Sequence, residues 1–487
     1  MKRSISLFLA LLMLLSSAAC SAPEDTDSRA ETTSAEADAE TEPVDPREAI
    51  SDGLENVTYN GSTYTLYCRE GSFGENYFVK EETGDVVDDA VYKRNLTVEE
   101  RMKVEIVPSY RTDDRGTNLT FLDQTIHSGD STCSLYEGDA MILDAMGQNY
   151  GYNWLDFGID FSKPWWSQAS VECQNIGGKL EFVTSDYDLT VYKGLCVVFF
   201  NKKLVGDNNL GDMYELVRQG KWTLDKVAEL SANIKDDLNG DSKFDENDLY
   251  GLISGNGNMI DNFVVSSDIK MIINDEEGYP KFNYNTEKAV AMCEKVFNLS
   301  QADGVYMIDE GKTSAILEPM FMNNKALFFT TLLNSATAFR DMDTDFGIIP
   351  YPKYDEAQKD YKTFSKAGFA ALIIPSCTAD PQMSADVTTV LSAESYKKVV
   401  PAYYDITLKT KTSRDNDSEE MLDIIRAGFD YDLGMVLLDN TGYIMTMLRG
   451  YVSSGNFKFA SDIAKKEKQV QKMLDKLSEN IREGLAG

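Results

Sequence analysis

The clearest metal-binding pattern in this sequence is an acidic loop at residues 237–248 (DLNGDSKFDEND). A calcium loop of the EF-hand type has oxygen side chains at positions 1, 3, 5, 9 and 12 and uses a main-chain carbonyl at position 7. Ca²⁺ prefers six to eight oxygen ligands, so a short loop rich in carboxylate and amide oxygens suits it. Counted from the first aspartate, the predicted ligands of a structural Ca²⁺ are Asp237, Asn239, Asp241, Lys243, Asp245 and Asp248.

Two residues of this loop depart from the usual pattern. Ser242 occupies position 6, where glycine normally makes the sharp turn. Left-handed geometry costs a residue other than glycine about 1–2 kcal/mol. Asp248 stands at position 12, where the longer glutamate is usual. The alternative interpretation is an acidic turn that is exposed to solvent and binds no metal.

Aromatic and acidic side chains that suit a hydroxyl-rich ligand lie close together in the sequence. Trp165 and Trp166 are adjacent, and paired aromatic rings can stack on the apolar faces of sugars. Asp186 and Asp188 follow, and carboxylates accept hydrogen bonds from hydroxyl groups. These four residues are candidate ligand-binding residues. The alternatives are two tryptophans packed in the core and an acidic loop exposed to solvent.

No catalytic pattern stands out. The only histidine is His127, and we expect it to pack or to cap a helix rather than to act as a base. The sequence has no nucleophile elbow, no phosphate-binding loop and no HExxH motif. The prediction is a protein that is not an enzyme and that needs no organic cofactor. The chain has so many acidic residues that counting them does not exclude a catalytic pair of carboxylates such as a glycosidase uses.

The first twenty residues have the pattern of an export signal. Two basic residues precede an apolar run at residues 5–15, and small residues then lead to Cys20. The run is shorter than the roughly 20 apolar residues that span a bilayer. The end of this segment resembles a bacterial lipobox, with Ser17 where leucine is usual, so Cys20 is the predicted lipidation site. Ordinary cleavage near Ala19 is the alternative, and both interpretations place the protein outside the cytoplasm.

Charge and composition favour a globular part that is held at a membrane by a flexible, disordered tether. Residues 21–50 are acidic and nearly free of large apolar residues, which predicts a disordered tether. The chain carries a formal net charge of −33. A surface this acidic repels nucleic acid and anionic lipid, so membrane contact is predicted through the lipid anchor only, and a neutral or cationic ligand is favoured. The alternative is that the acidity simply keeps an exported protein soluble.

Strand and helix patterns alternate along the rest of the chain. Residues 195–200 are a continuous apolar run, as expected for a strand that is covered on both faces. Residues 222–234 predict a helix, and residues 97–102 predict a short helix capped by Thr97. Residues 140–143 predict a buried strand. This alternation favours an α/β fold with largely parallel sheets.

Several segments of this chain resemble the type 2 extracellular solute-binding proteins of bacterial ABC importers. The resemblance is to the carbohydrate (maltose-binding-protein-like) group, as found in Gram-positive lipoproteins. No single segment is very specific, and the order along the chain carries the resemblance. The segments are residues 91–101 (VYKRNLTVEER), 199–204 (FFNKKL), 220–225 (GKWTLD), 346–352 (FGIIPYP) and 367–375 (AGFAALIIP).

The resemblance implies two α/β lobes that are joined by crossing hinge strands and hold a ligand in the cleft between them. Lobe one would comprise residues 51–193 and 366–430, and lobe two residues 194–365 and 431–487. Trp165, Trp166, Asp186 and Asp188 would then approach the cleft from lobe one.

From lobe two, the resemblance implies that the strand with Thr330 and Thr331 faces the ligand. Relatives that bind sugars often carry a tryptophan after this strand, where Leu332 and Leu333 stand here. The ligand class is therefore open between an oligosaccharide and another solute.

The function implied by the resemblance is an extracellular receptor that binds a sugar or oligosaccharide and delivers it to the membrane subunits of an ABC permease. It would act as a lipid-anchored monomer, with no nucleic-acid partner. Only a difference in ligand affinity between the open and closed forms can drive closure. An exported carbohydrate-active enzyme and a surface lipoprotein that binds other proteins are the alternatives.

Overall fold

The computed structural model describes residues 45–71, 76–112, 117–365, 371–405 and 416–486. The described residues from Pro46 onward form one compact unit. The strands, in chain order, are β1 (Ser62–Arg69), β2 (Val104–Arg111), β3 (Leu135–Gly138), β4 (Cys196–Asn201), β5 (Lys235–Asp236), β6 (Leu249–Asn256), β7 (Ile272–Asn274), β8 (Pro280–Phe282), β9 (Val305–Asp309), β10 (Ala326–Leu332), β11 (Phe346–Ile349) and β12 (Ala371–Ile373).

Helices of very different length surround these strands. The α-helices are α1 (Val86–Met102), α2 (Asn118–Ser128), α3 (Gln168–Gln174), α4 (Thr190–Lys193), α5 (Lys202–Asp207), α6 (Met213–Arg218), α7 (Leu224–Ser231), α8 (Asn258–Ser266), α9 (Glu287–Ser300), α10 (Glu318–Met322), α11 (Ala336–Phe339), α12 (Pro381–Glu394), α13 (Asn416–Ala427), α14 (Leu433–Val436), α15 (Leu438–Thr441), α16 (Met447–Ser454) and α17 (Phe459–Ala486). Single turns of 3₁₀-helix are formed by Pro46–Ala49, Ala140–Ala145, Trp154–Phe157, Glu310–Lys312, Leu333–Ser335 and Ile444–Thr446, and π-helical turns by Thr313–Leu317 and Ser395–Val399.

The first sheet has the strand order β12-β3-β1-β2. β1 is parallel to both β2 and β3, and β12 is antiparallel to β3. Tyr64, Leu66 and Cys68 alternate along β1 and are buried, because successive side chains of a strand point to opposite faces. Their face of the sheet packs in one apolar cluster with Val98 of α1 and Leu391 of α12.

The second sheet has the order β11-β4-β10-β6-β5, and β9 also pairs with β6. β10 and β9 are parallel to β6, whereas β4 is antiparallel to β10 and β11, and β5 is antiparallel to β6. All six residues of β4 are buried. Phe199 of β4 packs its ring edge against Phe339, with ring centroids 4.9 Å apart. The apolar run that the sequence shows here is therefore an internal strand covered on both faces.

Three chain segments lie side by side where the chain passes between the sheets, and we call residues 195–196, 363–365 and 428–430 the crossing segments. The main-chain amide of Cys196 donates to the carbonyl of Phe364 over 3.0 Å. The amide of Thr363 donates to Gly428 over 2.9 Å, and the amide of Asp430 returns a bond of 2.9 Å to Thr363. Main-chain hydrogen bonds therefore join all three segments into a short ribbon.

Several predicted elements are confirmed. The continuous apolar run is β4, and the helix predicted at residues 222–234 is α7, whose N-terminus is capped by Thr223. The C-terminal helix α17 buries Val470, Leu474, Leu477 and Ile481 along one face, as helical spacing requires.

Three predictions about the elements are wrong. Residues 97–102 are the last turns of the longer helix α1, whose cap is Asp85, and Thr97 bonds back to the carbonyl of Lys93 inside that helix. Residues 140–143 form a 3₁₀-helix instead of a strand, because the Asp139 side chain accepts from the amide of Met141 and starts a turn. The second sheet is mixed rather than largely parallel.

The division into lobes stays a prediction, although the strands of the two sheets come from the ranges expected for each lobe. The packing of α13 favours moving one boundary. Arg218 of α6 bonds to Asp417 and Glu420 of α13, and Tyr214 bonds to Ser418 over 2.8 Å. This helix therefore packs with elements of the second sheet. Within the described ranges, no helix is both long and apolar enough to cross a membrane.

Candidate functional site

A cavity of about 220 Å³ lies beside the crossing segments. Its wall includes two residues that the sequence predicts as ligand-binding, Trp166 and Asp186, together with Tyr192, Arg426 and Phe429. A larger groove of about 530 Å³ lies between the β7–β8 hairpin and α17. None of the predicted ligand-binding residues lines that groove, so the smaller cavity is the better candidate.

Main-chain pairing brings Trp166 and Asp186 together. The amide of Asp186 donates to the carbonyl of Trp165 over 2.9 Å, and Trp166 pairs with Ser185 in a short antiparallel bridge. Two residues that are twenty positions apart in the sequence therefore become neighbours on one cavity wall. Arg426 reaches the same cavity from the last turn of α13.

The aromatic part of the wall is firmly packed. The Trp166 ring lies 5.0 Å from Phe161 and 6.0 Å from Trp154, measured between ring centroids. The indole nitrogen of Trp166 is buried and has no hydrogen-bond partner in the part of the chain that the structure describes. A rigid aromatic surface of this kind provides contact area for a ligand at little cost in conformational entropy.

Asp186 is a buried carboxylate with one free acceptor. Its Oδ1 accepts a hydrogen bond of 2.6 Å from the Tyr192 hydroxyl, whereas its buried Oδ2 has no partner among the described residues. Burial raises the pKa of Asp186 to about 6, against the opposing effects of the Arg426 charge and the Tyr192 hydrogen bond. A buried acceptor without a partner is costly, so a ligand hydroxyl that donates to Oδ2 would be favoured.

Arg426 supplies the positive charge of the site. Its guanidinium lies 5.1 Å from the centre of the Tyr192 ring and 5.4 Å from that of Tyr404. Burial lowers the pKa of Arg426, but Tyr192 and Asp186 outweigh this effect, and the net direction is upward. The group therefore remains charged and can donate hydrogen bonds to a ligand.

The four other predicted ligand-binding residues lie outside this cavity. Trp165 is buried and packs against Tyr396. Asp188 is buried and accepts from the amide of Thr190 over 3.0 Å. Their predicted contact with a ligand gains no support from this arrangement and stays a prediction.

The two threonines of β10 bond to other hydroxyl groups. The Thr330 hydroxyl donates to Ser254 on the neighbouring strand β6 over 2.6 Å. The Thr331 hydroxyl lies 3.3 Å from that of Ser335, and Ser335 donates to Glu318 over 2.9 Å. Both threonines are buried, and their role in binding also stays a prediction.

A second charged cluster lies at the carboxyl ends of the first sheet's strands, where open α/β sheets commonly bind ligands. Arg69 at the end of β1 forms an ion pair with Glu137 of β3 at 2.5 Å and lies 3.9 Å from Asp139. Burial, and next the Glu137 charge, raise the pKa of the nearby Asp188. These charges are paired with one another, so the cluster offers fewer free groups than the cavity does.

Three residues that line the cavity were not predicted from the sequence, namely Tyr192, Arg426 and Phe429. Arg426 is more than two hundred positions from Trp166, and a single arginine in an amphipathic helix has no local signal. Only the packing of α13 beside the crossing segments brings it to the cavity. Tyr192 could have been noticed because it lies between Asp188 and the apolar run of β4.

The predicted calcium loop has the turn geometry that such a loop requires. Both carboxylate oxygens of Asp237 accept main-chain amides, from Gly240 over 2.7 Å and from Ser242 over 2.8 Å. Ser242 adopts a left-handed φ of 64°, as position 6 demands. Asp248 is buried and accepts from the amide of Leu238 over 3.0 Å.

No group of three or more His, Cys, Asp or Glu side chains, among those the structure describes, is arranged to hold a metal ion. The carboxylates of the loop instead bond to its own amides, as with Asp241, which accepts from Lys243 over 2.8 Å. Calcium binding stays a prediction. The predicted lipidation site Cys20 lies outside the described residues.

Comparison with known proteins identifies the fold. No family model and no curated protein matches the sequence. Among solved structures, a cyclic α-maltosyl-1,6-maltose binding protein from Arthrobacter globiformis has 12% identity over 85% of this chain and 99% of its own, with a TM-score of 0.58. The GacH receptor of Streptomyces glaucescens has 11% identity over 85% and 99%, with a TM-score of 0.55.

A third match is the galacto-N-biose/lacto-N-biose I-binding protein of an ABC transporter from Bifidobacterium longum. It has 11% identity over 87% of this chain and 98% of its own, with a TM-score of 0.54. Identities this low show the fold alone. The predicted two-lobed α/β fold is therefore confirmed, and the resemblance to type 2 solute-binding proteins holds at the level of the fold.

The raised pKa of Asp186 predicts a pH-dependent contribution to stability. Its folded-state pKa of about 6 lies above its ordinary value of 3.8. As the pH rises between these values, the unfolded chain loses this proton while the folded protein keeps it, so stability falls in this window and the loss is complete above about pH 6. Asp186→Asn removes the effect. We expect the free energy of unfolding of the variant, relative to wild type, to rise by about 3 kcal/mol from acid to neutral pH.

Denaturant titrations between about pH 4 and pH 7 measure this difference. Taking the difference from wild type cancels other buried carboxyl groups such as Asp144, whose pKa burial also raises. Asp303→Asn is the matched control, because the Asp303 side chain is 96% exposed. An identical pH dependence in both variants would contradict the assignment.

Proposed function

We propose that this protein is an extracellular receptor that binds a sugar or oligosaccharide and delivers it to an ABC-type permease. The observation that carries the proposal is the cavity beside the crossing segments, which combines an aromatic wall with a buried free acceptor. The fold supports it as well, because the comparison structures are named as binding proteins for sugars and, in one case, as part of an ABC transporter.

The geometry suits binding better than catalysis. Trp166 and Phe429 offer apolar surface, and Asp186 and Arg426 offer one acceptor and several donors for hydroxyl groups. Drug-sized ligands usually occupy cavities of about 300–1,000 Å³. The cavity here, of about 220 Å³, matches a single sugar ring. A longer saccharide would extend from it, with one ring inside.

The mechanism follows from the crossing segments. A ligand that contacts residues on both sides of this ribbon stabilises the closed arrangement, and only its extra affinity for that arrangement shifts the equilibrium. The closed form is then the one that docks on the permease. No bond of the ligand needs to break.

An exported carbohydrate-active enzyme is the second candidate. The comparison structures are described as binding proteins rather than enzymes, which supports the receptor. Turnover of a glycan would instead favour the enzyme if substitution of one named carboxylate abolished that turnover. A surface lipoprotein that binds another protein is the third candidate.

The proposed location is the outer face of the cell membrane. Residues 1–20 would contain the signal peptide and, directly after its cleavage site, the lipidated Cys20, and residues 21–50 would be the tether. Lobe one would comprise residues 51–193 and 366–430 except α13, which we move to lobe two. The receptor would act as a monomer that contacts the membrane only through its lipid.

We also propose a structural Ca²⁺ in the acidic loop. Its six predicted ligands supply the oxygen donors that Ca²⁺ prefers, and the left-handed Ser242 supports the EF-hand type of turn. Extracellular sites of this class bind at about millimolar Ca²⁺. The ion would brace the connection between β5 and β6.

A thermal-shift screen against mono- and oligosaccharides tests the receptor function. We expect at least one sugar to raise the melting temperature without being turned over, since a ligand bound only to the folded state stabilises it. Trp166→Phe should weaken binding of that sugar about tenfold, because the smaller ring loses stacking area. Trp165→Phe makes the same change at the adjacent residue, which is as buried as Trp166 but does not line the cavity, and it should leave affinity within about threefold. Equal effects of the two changes would show that the cavity is not the binding site.

Calcium and a chelator test the acidic loop. We expect millimolar Ca²⁺ to raise the melting temperature and a chelator to reverse it. Ser242→Gly relieves the left-handed strain and should stabilise the protein by about 1 kcal/mol and tighten Ca²⁺ binding. Asp241→Asn should weaken the response to Ca²⁺, whereas the exposed Asp303→Asn should not. A melting temperature that is indifferent to Ca²⁺ would refute the site.

Cell fractionation tests the lipid anchor. Cys20→Ser removes the thiol that would carry the lipid, so the variant should leave the membrane fraction for the medium. A single acyl chain already gives only reversible membrane binding, so losing all lipid should release the protein. Cys377→Ser is the control, because it changes a half-buried cysteine of the body. Wild-type protein found free in the medium would count against lipidation.

A further inference from the structure

Arg426 stands out among the described arginines because its guanidinium has few hydrogen-bonding partners and no carboxylate partner. Most other arginines in the described part of the chain have a carboxylate oxygen within 3.9 Å, namely Arg47, Arg69, Arg101, Arg218, Arg340, Arg449 and Arg482. Arg426 has no such ion pair with any described residue. Its one hydrogen bond to a described residue goes to the Tyr192 hydroxyl, over 3.3 Å.

Most donors of this guanidinium therefore have no partner among the residues that the structure describes and can bond to a ligand. A guanidinium carries five N–H donors in a planar fork that matches a carboxylate. Arg94 shows what a structural arginine does in this protein, since its donors bond to the carbonyls of Asn76 and Tyr77 and to Ser395. Arg426 has no comparable set of partners within the described ranges, and it lines the cavity.

The surroundings of Arg426 make an unpaired charge costly. The group is half-buried, and a cation that is partly removed from water gains much from a counter-ion. The Tyr192 and Tyr404 rings stabilise it in part through their faces. In a chain with a net charge of −33, carboxylates are abundant, yet no described carboxylate forms a direct ion pair with this arginine. The charge of Asp186 acts on it, but Asp186 is linked to it only through the Tyr192 hydroxyl.

Asp186, whose carboxylate accepts from the same Tyr192 hydroxyl that Arg426 bonds to, has a different preference. The free Oδ2 of Asp186 accepts a hydrogen bond, so it suits a hydroxyl group and repels an anion. Trp166 and Phe429 line the same cavity with apolar atoms. A ligand that matches the whole wall has a ring, a hydroxyl group for Asp186 and an anionic group for Arg426.

We propose that the receptor takes an acidic sugar of the hexuronate class, with its carboxylate on Arg426, a hydroxyl on Asp186 and its ring against Trp166. This inference rests on the proposed function and specifies its ligand class. The general acidity of the surface does not exclude it, because charges more than about 8–10 Å away are largely screened at physiological salt. An amino sugar is disfavoured, because its ammonium group would meet Arg426.

Two matched pairs of sugars test the proposal by isothermal titration calorimetry. Glucuronate and galacturonate differ from glucose and galactose only in a carboxylate that replaces the CH₂OH group at carbon 6. We expect the uronate of at least one pair to bind about tenfold or more tightly than its neutral partner, since charge-assisted hydrogen bonds are the stronger ones. The affinity for that uronate should fall as salt is raised, whereas affinity for a neutral sugar should not.

Variants assign the preference to Arg426. Arg426→Gln should abolish the preference for the uronate, and Arg426→Lys should keep part of it, because lysine retains the charge but loses the fork. Arg340→Gln is the matched control at an exposed arginine and should leave the preference unchanged. The salt dependence of the wild-type protein still tests the charge should Arg426→Gln fail to fold.

The outcomes separate the ligand class from the receptor function. Equal or tighter binding of the neutral partners overturns the uronate proposal and leaves the receptor standing. If other neutral sugars bind in the wider screen but none of the four sugars of the matched pairs does, the uronate proposal is likewise overturned and the receptor function stands. No binding of any sugar overturns both. A uronate preference that survives Arg426→Gln also overturns the assignment.

Discussion

The ribbon of crossing segments is the constraint on which the rest of this structure depends. Three separate parts of the chain are held side by side by main-chain hydrogen bonds, with Thr363 in the centre, bonded to both Gly428 and Asp430. The Thr363 hydroxyl adds a bond of 2.7 Å to the carbonyl of Cys196. Glycine is required at position 428, since a Cβ there would lie 2.3 Å from the carbonyl oxygen of Tyr361. This close approach fixes how α13 leaves the ribbon, and thereby where Arg426 lies.

The candidate site follows from that placement. Asp186 and Arg426 act on each other in a partly dry cavity, where charges interact more strongly than in water. Neither is fully satisfied by the protein, because Oδ2 of Asp186 and most donors of Arg426 have no partner among the described residues. These unsatisfied groups lower the free energy of unfolding of the protein, and a ligand that bonds to both of them restores that stability. A site built in this way binds through polar specificity as well as aromatic contact.

The sequence predicted those elements whose pattern is strong and local. The continuous apolar run of β4 follows from its hydrophobic residues, and helix α7 from its apolar spacing and its capping threonine. It failed where a local signal was ambiguous. Thr97 resembles a cap but lies inside α1, since the helix already starts at Asp85. Residues 140–143 are apolar enough for a strand, but the Asp139 carboxylate captures an amide and turns the chain.

The sequence by itself determined the α/β class and the paired tryptophans before an acidic stretch, and it predicted an export signal at the N-terminus and an EF-hand-like calcium loop. These properties depend on neighbouring residues, and neighbours are visible in a sequence. The tertiary structure decided which of the candidates share a cavity. It joined Trp166 and Asp186, buried Trp165 and Asp188 elsewhere, and added Arg426 from a distant helix. Contacts between residues hundreds of positions apart depend on how helices pack against the crossing segments, and no local pattern encodes them.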